Sequence, residues 1–335
     1  MAYFSIIIPI YNRPDEMKEL LDSLVAQTYK DFDIVVMEDG SQDGFKCDDI
    51  VKEYSEKLDI QYYYKPNTGQ SDSRNIGMTK ARGEYFIFFD SDVIVPENYF
   101  KIIHDSLEKD YVDCFGGPDA AHESFSNIQK AINHSMTSFF TTGGIRGGKG
   151  TMEKFCPRSY NMGISRAVFE KTKGFNDSLG EDIELSTRIR KAGFKIRLIR
   201  EAFVYHKRRV DLTKFVKQVH IFGQARISLY RQHPESLKIV HFAPAVFTLG
   251  ILMLLIISFW IPQILWLIVL YALILFIDSS IKNKSVKIGF ISVITGFIQL
   301  LGYGSGFLRA FWDKVILRHE LESRNKIKNM YNKEN

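Results

Sequence analysis

The chain has 335 residues and a mass of 38.7 kDa, room for about two domains, and its 45% hydrophobic and 25% charged content excludes a disordered or collagen-like protein. Three cysteines, Cys47, Cys114 and Cys156, lie far apart with no CxxC, which excludes a disulfide scaffold and a cysteine-based zinc site. The net charge of +5 conceals a split: 22 Lys or Arg face 31 Asp or Glu in residues 1–190, whereas residues 191–240 carry 12 basic and only 3 acidic side chains, so an acidic front joins a basic collar suited to an anionic surface.

The apolar start FSIIIPI is short and runs into Asn12, Arg13, Pro14, Asp15 and Glu16, so no secretory signal is expected and the working compartment should be reducing. Buried strands are predicted at 3–8, 33–39, 60–65 and 84–90, and helices at 14–27, 71–81 and 96–108; Met17, Leu20, Leu21, Leu24 and Val25 share one face of the first helix. Strands alternating with helices predict an α/β fold, a mostly parallel sheet with helices on both faces. Ligands of such sheets sit at the carboxyl ends of the strands.

Unusual polar residues fall at those ends. Pro9, Tyr11 and Asn12 form a rigid, partly aromatic lip suited to stacking on a flat base. In MEDGSQDG, Glu38 and Asp39 suit ribose hydroxyls or the imino group of a base, an ordinary Asp-Gly turn being the alternative. In NTGQSDSRNIG, Arg74 lies on the first turns of a helix, within reach of a phosphate or simply solvated. No GxGxxG follows a strand, and GGIRGGKG at 143–150 lacks the P-loop spacing; it reads as a mobile active-site loop. The stretch EYFIFFDSDVIVP delivers Asp90 and Asp92 together, two carboxylates that repel unless a cation offsets them. Oxygen ligands select Mg²⁺ or Mn²⁺, whose shell a diphosphate would complete.

Farther on, GFNDSLGEDIEL puts Glu181 and Asp182 at the start of a helix running to Ala192, where an acid serves as a cap or as a base. The order PIYNRP, EDGS, QSDSRNIG, FFDSD and GEDIELSTRIRKAG resembles glycosyltransferase family 2, with its GT-A (Rossmann-like nucleotide-diphospho-sugar transferase) fold, over about residues 1–210. The resemblance implies a nucleotide-sugar donor, Mn²⁺ or Mg²⁺, and inversion at the anomeric carbon. By position, Pro9, Tyr11, Glu38 and Asp39 match the nucleotide-contact segments, Asp90 the donor-side acid, Asp92 the metal-binding acid and Asp182 the general base. It also suggests His206, at the end of a strand FVYH, as a metal ligand or diphosphate contact, a packing role being the alternative. Asn161, in SYNMGISR, sits where related enzymes touch a sugar. Asn12 and Arg74 complete the cofactor-binding candidates.

The second half is different. Residues 243–277 hold no Asp, Glu, Lys or Arg for 35 positions, too long for one span, and Pro262 breaks the middle; a helical hairpin over 240–260 and 262–279 is predicted. A second uncharged run of 21 residues, 288–308, contains five glycines and suits either a span or a re-entrant or interfacial segment. The collar, with Lys207, Arg208, Arg209, Lys214, Lys217, Arg226, Arg231 and Lys238, and the loop with Lys282, Lys284 and Lys287 put both ends of the hairpin in the cytoplasm and against anionic headgroups. A third full span would carry the basic tail outside, against that rule. The expected division is thus a catalytic domain (1–210), a juxtamembrane helix (211–239), a membrane region (240–308) and a basic tail (309–335), in a multi-pass inner-membrane protein. The helix over 212–232 lies on the bilayer or packs on the catalytic domain. No QxxRW motif of processive synthases occurs, so single addition is expected, to a lipid-linked sugar or polyprenyl phosphate in cell-envelope polysaccharide or glycolipid synthesis, with no nucleic acid as partner. The rival readings are a nucleotidyltransferase-like enzyme and a catalytically inactive, membrane-tethered sugar-binding protein.

Overall fold

The computed structural model describes residues 3–120, 125–143, 155–207 and 211–320. Residues 144–150 of the glycine-rich segment, Arg208, Arg209 and the tail beyond 320 lie outside the described residues. The chain opens with β1 (Phe4–Ile10), α1 (Pro14–Val25), β2 (Phe32–Asp39), α2 (Asp48–Tyr54), β3 (Ile60–Lys65), α3 (Gln70–Lys80) and β4 (Tyr85–Phe88). There follow β5 (Val93–Ile94), α4 (Tyr99–Lys109), β6 (Cys114–Gly116), β7 (Asp119–Ala120), α5 (Asn127–Thr137), α6 (Phe139–Thr142), β8 (Met162–Ser165), α7 (Arg166–Thr172), α8 (Glu181–Lys191), β9 (Ile196–Leu198) and β10 (Val204–His206).

Seven strands form one sheet in the order β3-β2-β1-β4-β8-β6-β9, parallel except for β8, which runs against both neighbours; β5, β10 and β7 form a small second sheet. The mostly parallel sheet is the one expected. The central strands are apolar throughout because helices cover both faces. Ile6, Ile8 and Ile10 pack with Met17 and Leu20 of α1 and Phe100 of α4, while Ile7, Val35 and Met37 pack with Met78 of α3 and Leu185 and Ile189 of α8. This alternation governs the site as well: consecutive residues at a strand tip point to opposite layers. One boundary differs from expectation. β4 ends at Phe88, so Asp90 and Asp92 stand on the connection to β5 rather than on the strand.

The remaining helices are α9 (Leu212–Gln232), α10 (Ala243–Ile257), α11 (Trp266–Asn283) and α12 (Val286–Phe311). The stretches Ile239–Ile257, Pro262–Asn283 and Val286–Ile316 are long and apolar enough to cross a membrane, with mean hydropathies of 2.3, 2.4 and 1.6. The hairpin breaks at Pro262, as its sequence predicts. α12 is one unbroken helix despite its glycines, which serve close packing. A Cβ at Gly306 would collide with the His220 carbonyl of α9, and one at Gly304 with the Pro244 carbonyl of α10. α9 lies along α12 and buries Phe215 and Val219 with Ile132 and Met136 of α5. A layer of α5, α9 and α12 therefore joins the sheet domain to the apolar hairpin.

Candidate active site

A cavity of about 1090 Å³ opens over the carboxyl ends of β1, β2 and β4. Pro9 and Tyr11 line it, with Tyr11 exposed at the lip, as the sequence suggests. Asn12 does not. It takes a left-handed backbone (φ 53°), its N–H donates to Ser41 Oγ at 2.7 Å, and its Oδ1 accepts the Gln42 N–H at 2.8 Å; it pins the loop after β1 to the loop after β2.

Glu38 and Asp39 are separated by the pleat. Asp39 faces the α3 layer and lines the cavity, where its carboxylate accepts from Lys65 Nζ (2.5 Å) and from the Thr68 and Gly69 N–H groups (2.9 and 3.0 Å). Glu38 turns the other way, is fully buried, and binds Ser41 Oγ and the Cys47 N–H (2.9 Å). It stabilises the turn after β2 from below and is not among the lining residues.

Asp90, Asp92 and Asp182 converge on the cavity, as does His206. The ladder between β5 and β10 pairs His206 with Val93, one residue past Asp92, and the Lys207 N–H donates to the Asp92 carbonyl at 2.9 Å. Asp92 Oδ1 consequently lies 3.3 Å from His206 Nε2, whose ring packs on Tyr160 with centroids 4.1 Å apart. Arg13 reaches Asp92 Oδ2 at 3.4 Å and Glu16 at 2.8 Å. Burial disfavours the Arg13 cation, but Glu16 and Asp92 outweigh it and its pKa ends raised. Among the described residues no three His, Cys, Asp or Glu side chains form a metal cluster. One carboxylate and one imidazole facing a roomy cavity fit an ion that takes its other ligands from a diphosphate and water.

Arg74 is placed differently from the sequence expectation of a phosphate contact. α3 carries it under the cavity floor with no exposure, where its guanidinium binds Asp90 Oδ1 at 2.6 Å and reaches Glu181 Oε1 at 3.4 Å. The position follows from α3 packing on the inner layer, so the cation faces the sheet rather than solvent. Glu181 and Asp182 begin α8, after Gly180 in the left-handed region (φ 74°), where an L side chain is strained. Asp182 Oδ1 accepts its neighbour Ile183 N–H at 2.8 Å, and its Oδ2 stands 3.5 Å from Arg158. Burial lowers the Arg158 pKa, yet Asp182 and Tyr160 more than offset that and leave it raised.

Asn161 also departs from expectation. It is wholly buried: Oδ1 accepts from Tyr99 OH at 2.6 Å and Nδ2 donates to the Ala202 carbonyl at 2.9 Å, so its amide is consumed inside the protein and does not line the cavity. β8 begins with the next residue, whose register against β4 and β6 leaves Asn161 between layers.

Residues 5–172, half of the chain, match the protein family described as Glycosyl transferase family 2. The chain belongs to glycosyltransferase family 2. It is 35% identical over 129 residues to an uncharacterized glycosyltransferase of Rickettsia felis, covering 37% of this chain and 21% of that one. It is 26% identical over 247 residues to the uncharacterized glycosyltransferase EpsJ of Bacillus subtilis, covering 72% of this chain and 64% of the relative. In both cases it spans less than two thirds of the relative's length. Among solved structures, the mannosyltransferase PcManGT from Pyrobaculum calidifontis, in complex with GDP-Man and Mn²⁺, shares the fold with a TM-score of 0.58 at 16% identity, over 93% of this chain and 88% of that one. The chain is thus a glycosyltransferase family 2 member with a GT-A fold.

The family match ends before α8, so Asp182 and His206 lie beyond it. Arg13, Arg158 and Tyr160 are cavity residues that the sequence reading gave no role. Arg13 stands in the quoted PIYNRP motif, but Arg158 and Tyr160 sit in CPRSY, where no spacing or periodicity marks them.

Proposed function

We propose that the enzyme transfers one sugar, with inversion, from a nucleoside-diphosphate sugar to an acceptor held in the membrane. The observation that carries this is the continuity of the cavity. Its polar end holds Asp90, Asp92 and Asp182, and its other end is lined by Phe242, Phe247, Tyr271 and Leu300 of the apolar helices. A polar headgroup attached to a lipid tail fits both ends at once. A lipid-linked sugar or a polyprenyl phosphate is such a molecule, and cell-envelope synthesis is the matching pathway class.

In this reading Pro9, Tyr11 and Asp39 receive the nucleotide and Asp90 the donor sugar. Asp92 and His206 would hold Mn²⁺ or Mg²⁺, which supplies charge neutralisation for the departing diphosphate. With a lipid-linked sugar as acceptor, Asp182 takes the proton from the attacking hydroxyl, whereas a polyprenyl phosphate attacks through an oxygen that is already ionised and needs no base. Arg158, 3.5 Å away, holds that carboxylate in place. Arg13 steadies Asp92 from the opposite side.

The hairpin of α10 and α11 inserts from the cytoplasmic side. Trp260 and Trp266 flank its turn, 77% and 70% exposed, as side chains of a far headgroup layer would be. α12 lies across the base of the hairpin instead of crossing. It touches α10 near Pro244 and α11 near Ser280, and α9 packs along it with Lys214, Lys217, Arg226 and Arg231, charges that a spanning α12 would draw into hydrocarbon. This also keeps the basic tail in the cytoplasm. The proposed divisions are catalytic (1–210), juxtamembrane (211–239), membrane (240–308) and tail (309–335), with 288–308 interfacial. A cysteine introduced in the tail should react with an impermeant maleimide only after the inner membrane is opened; labelling of intact spheroplasts would refute the placement.

The activity test pairs purified protein with a panel of nucleotide-sugars, Mn²⁺ or Mg²⁺, and a membrane-lipid extract, reading nucleoside diphosphate release. Asp92→Asn should weaken donor binding in the presence of metal and leave metal-free binding almost unchanged. Equal donor affinity in wild type and Asp92→Asn across metal concentrations would remove Asp92 from the metal site.

A further inference from the structure

Between Glu235 and Asp313 the sequence contains a single acid, Asp278. It stands near the end of α11, in a stretch with a mean hydropathy of 2.4. An ionisable side chain in such a helix is costly unless it faces protein and finds partners. Asp278 is mostly buried. Its Oδ2 lies 3.1 Å from Nε2 of His134 and accepts from Ser138 Oγ at 2.8 Å, while Oδ1 lies 2.7 Å from Lys282 Nζ. Burial pushes the His134 imidazole below its ordinary value despite the neighbouring acid, and Lys282 supplies the acid with a counter-charge.

The partners stand at a joint. His134 belongs to α5, and Ser138 both ends α5 and caps α6 by accepting the Phe140 N–H at 3.3 Å. The same seam continues on either side of Asp278. Ser135 Oγ meets Thr295 Oγ1 of α12 at 2.5 Å, Thr295 donates to the Ala131 carbonyl at 3.2 Å, and Tyr271 OH donates to the Phe140 carbonyl at 2.9 Å. α6 in turn contributes Phe139–Thr142 to the cavity wall, between the catalytic acids and the apolar helices.

We propose, building on the membrane-held acceptor above, that Asp278 is a positioning residue for that acceptor: by holding Ser138 and His134 it fixes α6 as the wall that the acceptor passes, and so ties the hairpin to the catalytic domain. Asp278 touches no reacting atom. Its effect falls on acceptor use and not on the donor side.

The test uses the full chain in detergent with donor, Mn²⁺ and a total membrane-lipid extract as acceptor. Asp278→Asn should raise the KM for lipid about tenfold, and Ser138→Ala less, while donor KM and lipid-independent donor hydrolysis stay at wild-type values. In parallel, a Ser135→Cys/Thr295→Cys pair should cross-link readily on oxidation in the wild-type background and several-fold less with Asp278→Asn added. An unchanged lipid KM in both variants overturns the proposal, as does a parallel loss of donor hydrolysis, which marks a fold-wide defect. Should wild type glycosylate only water-soluble acceptors, the acceptor reading fails, and cross-linking alone then decides the tie: yields unaffected by Asp278→Asn overturn it.

Discussion

Turnover of Asp182→Asn should fall by about 10²–10⁴-fold, the usual contribution of a general base, with donor affinity held within about twofold. The substitution changes almost nothing but basicity. Asn keeps the shape, keeps an oxygen to accept the Ile183 N–H, and keeps the first turn of α8 that Gly180 introduces. What it removes is the carboxylate at the cavity surface beside Arg158. An acceptor hydroxyl then has no group of sufficient basicity to accept its proton as it attacks the sugar carbon. The check is steady-state release of nucleoside diphosphate beside calorimetric titration of the donor. A drop in donor affinity as large as the drop in turnover would assign Asp182 to binding. The contrast with Asp92→Asn is the informative part: the two acids work at opposite ends of one displacement, so one variant should lose donor affinity and the other should lose rate.

The second large effect concerns stability. Arg74→Met should cost about 3–5 kcal/mol, the range for removing one partner of a buried ion pair. Arg74 is fully buried against Asp90 at 2.6 Å and Glu181 at 3.4 Å, and the Glu181 side chain is itself only 7% exposed. With methionine in place, the buried Glu181 carboxylate and Asp90 both lose the Arg74 cation, at the residue next to Asp182 and in the cavity wall. Unfolding in denaturant measures the loss, and turnover should drop with it because the first turn of α8 shifts. Arg74→Lys keeps a charge but cannot fork to two carboxylates, and it should fall between wild type and methionine. A methionine variant as stable as wild type would mean that the buried arrangement contributes nothing net.

Much of this was open to reading along the chain. Apolar runs and helical patterns within residues 3–109 mark β1, α1, β2, β3, α3, β4 and α4 in order, whereas the short α2 and β5 carry no such pattern. The strand-end acids Asp39, Asp90 and Asp92 stand out because an apolar run delivers a charge at its end. The hairpin is announced by 35 residues without a charge and one proline. Glu38, Arg74 and Asn161 drew attention through their motifs, yet all three are buried and work inside the protein.

Local pattern therefore determined the longer elements of residues 3–109, the helix after Gly180, the family motifs, the apolar hairpin and the strand-end carboxylates. Tertiary structure alone decided which of those polar residues meet. Periodicity reports which face of an element is apolar, not which other element covers it. The pleat sends Glu38 and Asp39 to opposite layers, and the packing of α3 turns Arg74 inward. The β5–β10 ladder sets His206 beside Asp92 across more than a hundred residues, and the Asp278–Ser138 bond joins two helices that no sequence pattern links. The run 288–308, which suits a span or a re-entrant or interfacial segment alike, is one helix whose glycines stand where the backbones of α9 and α10 occupy the space a side chain would need.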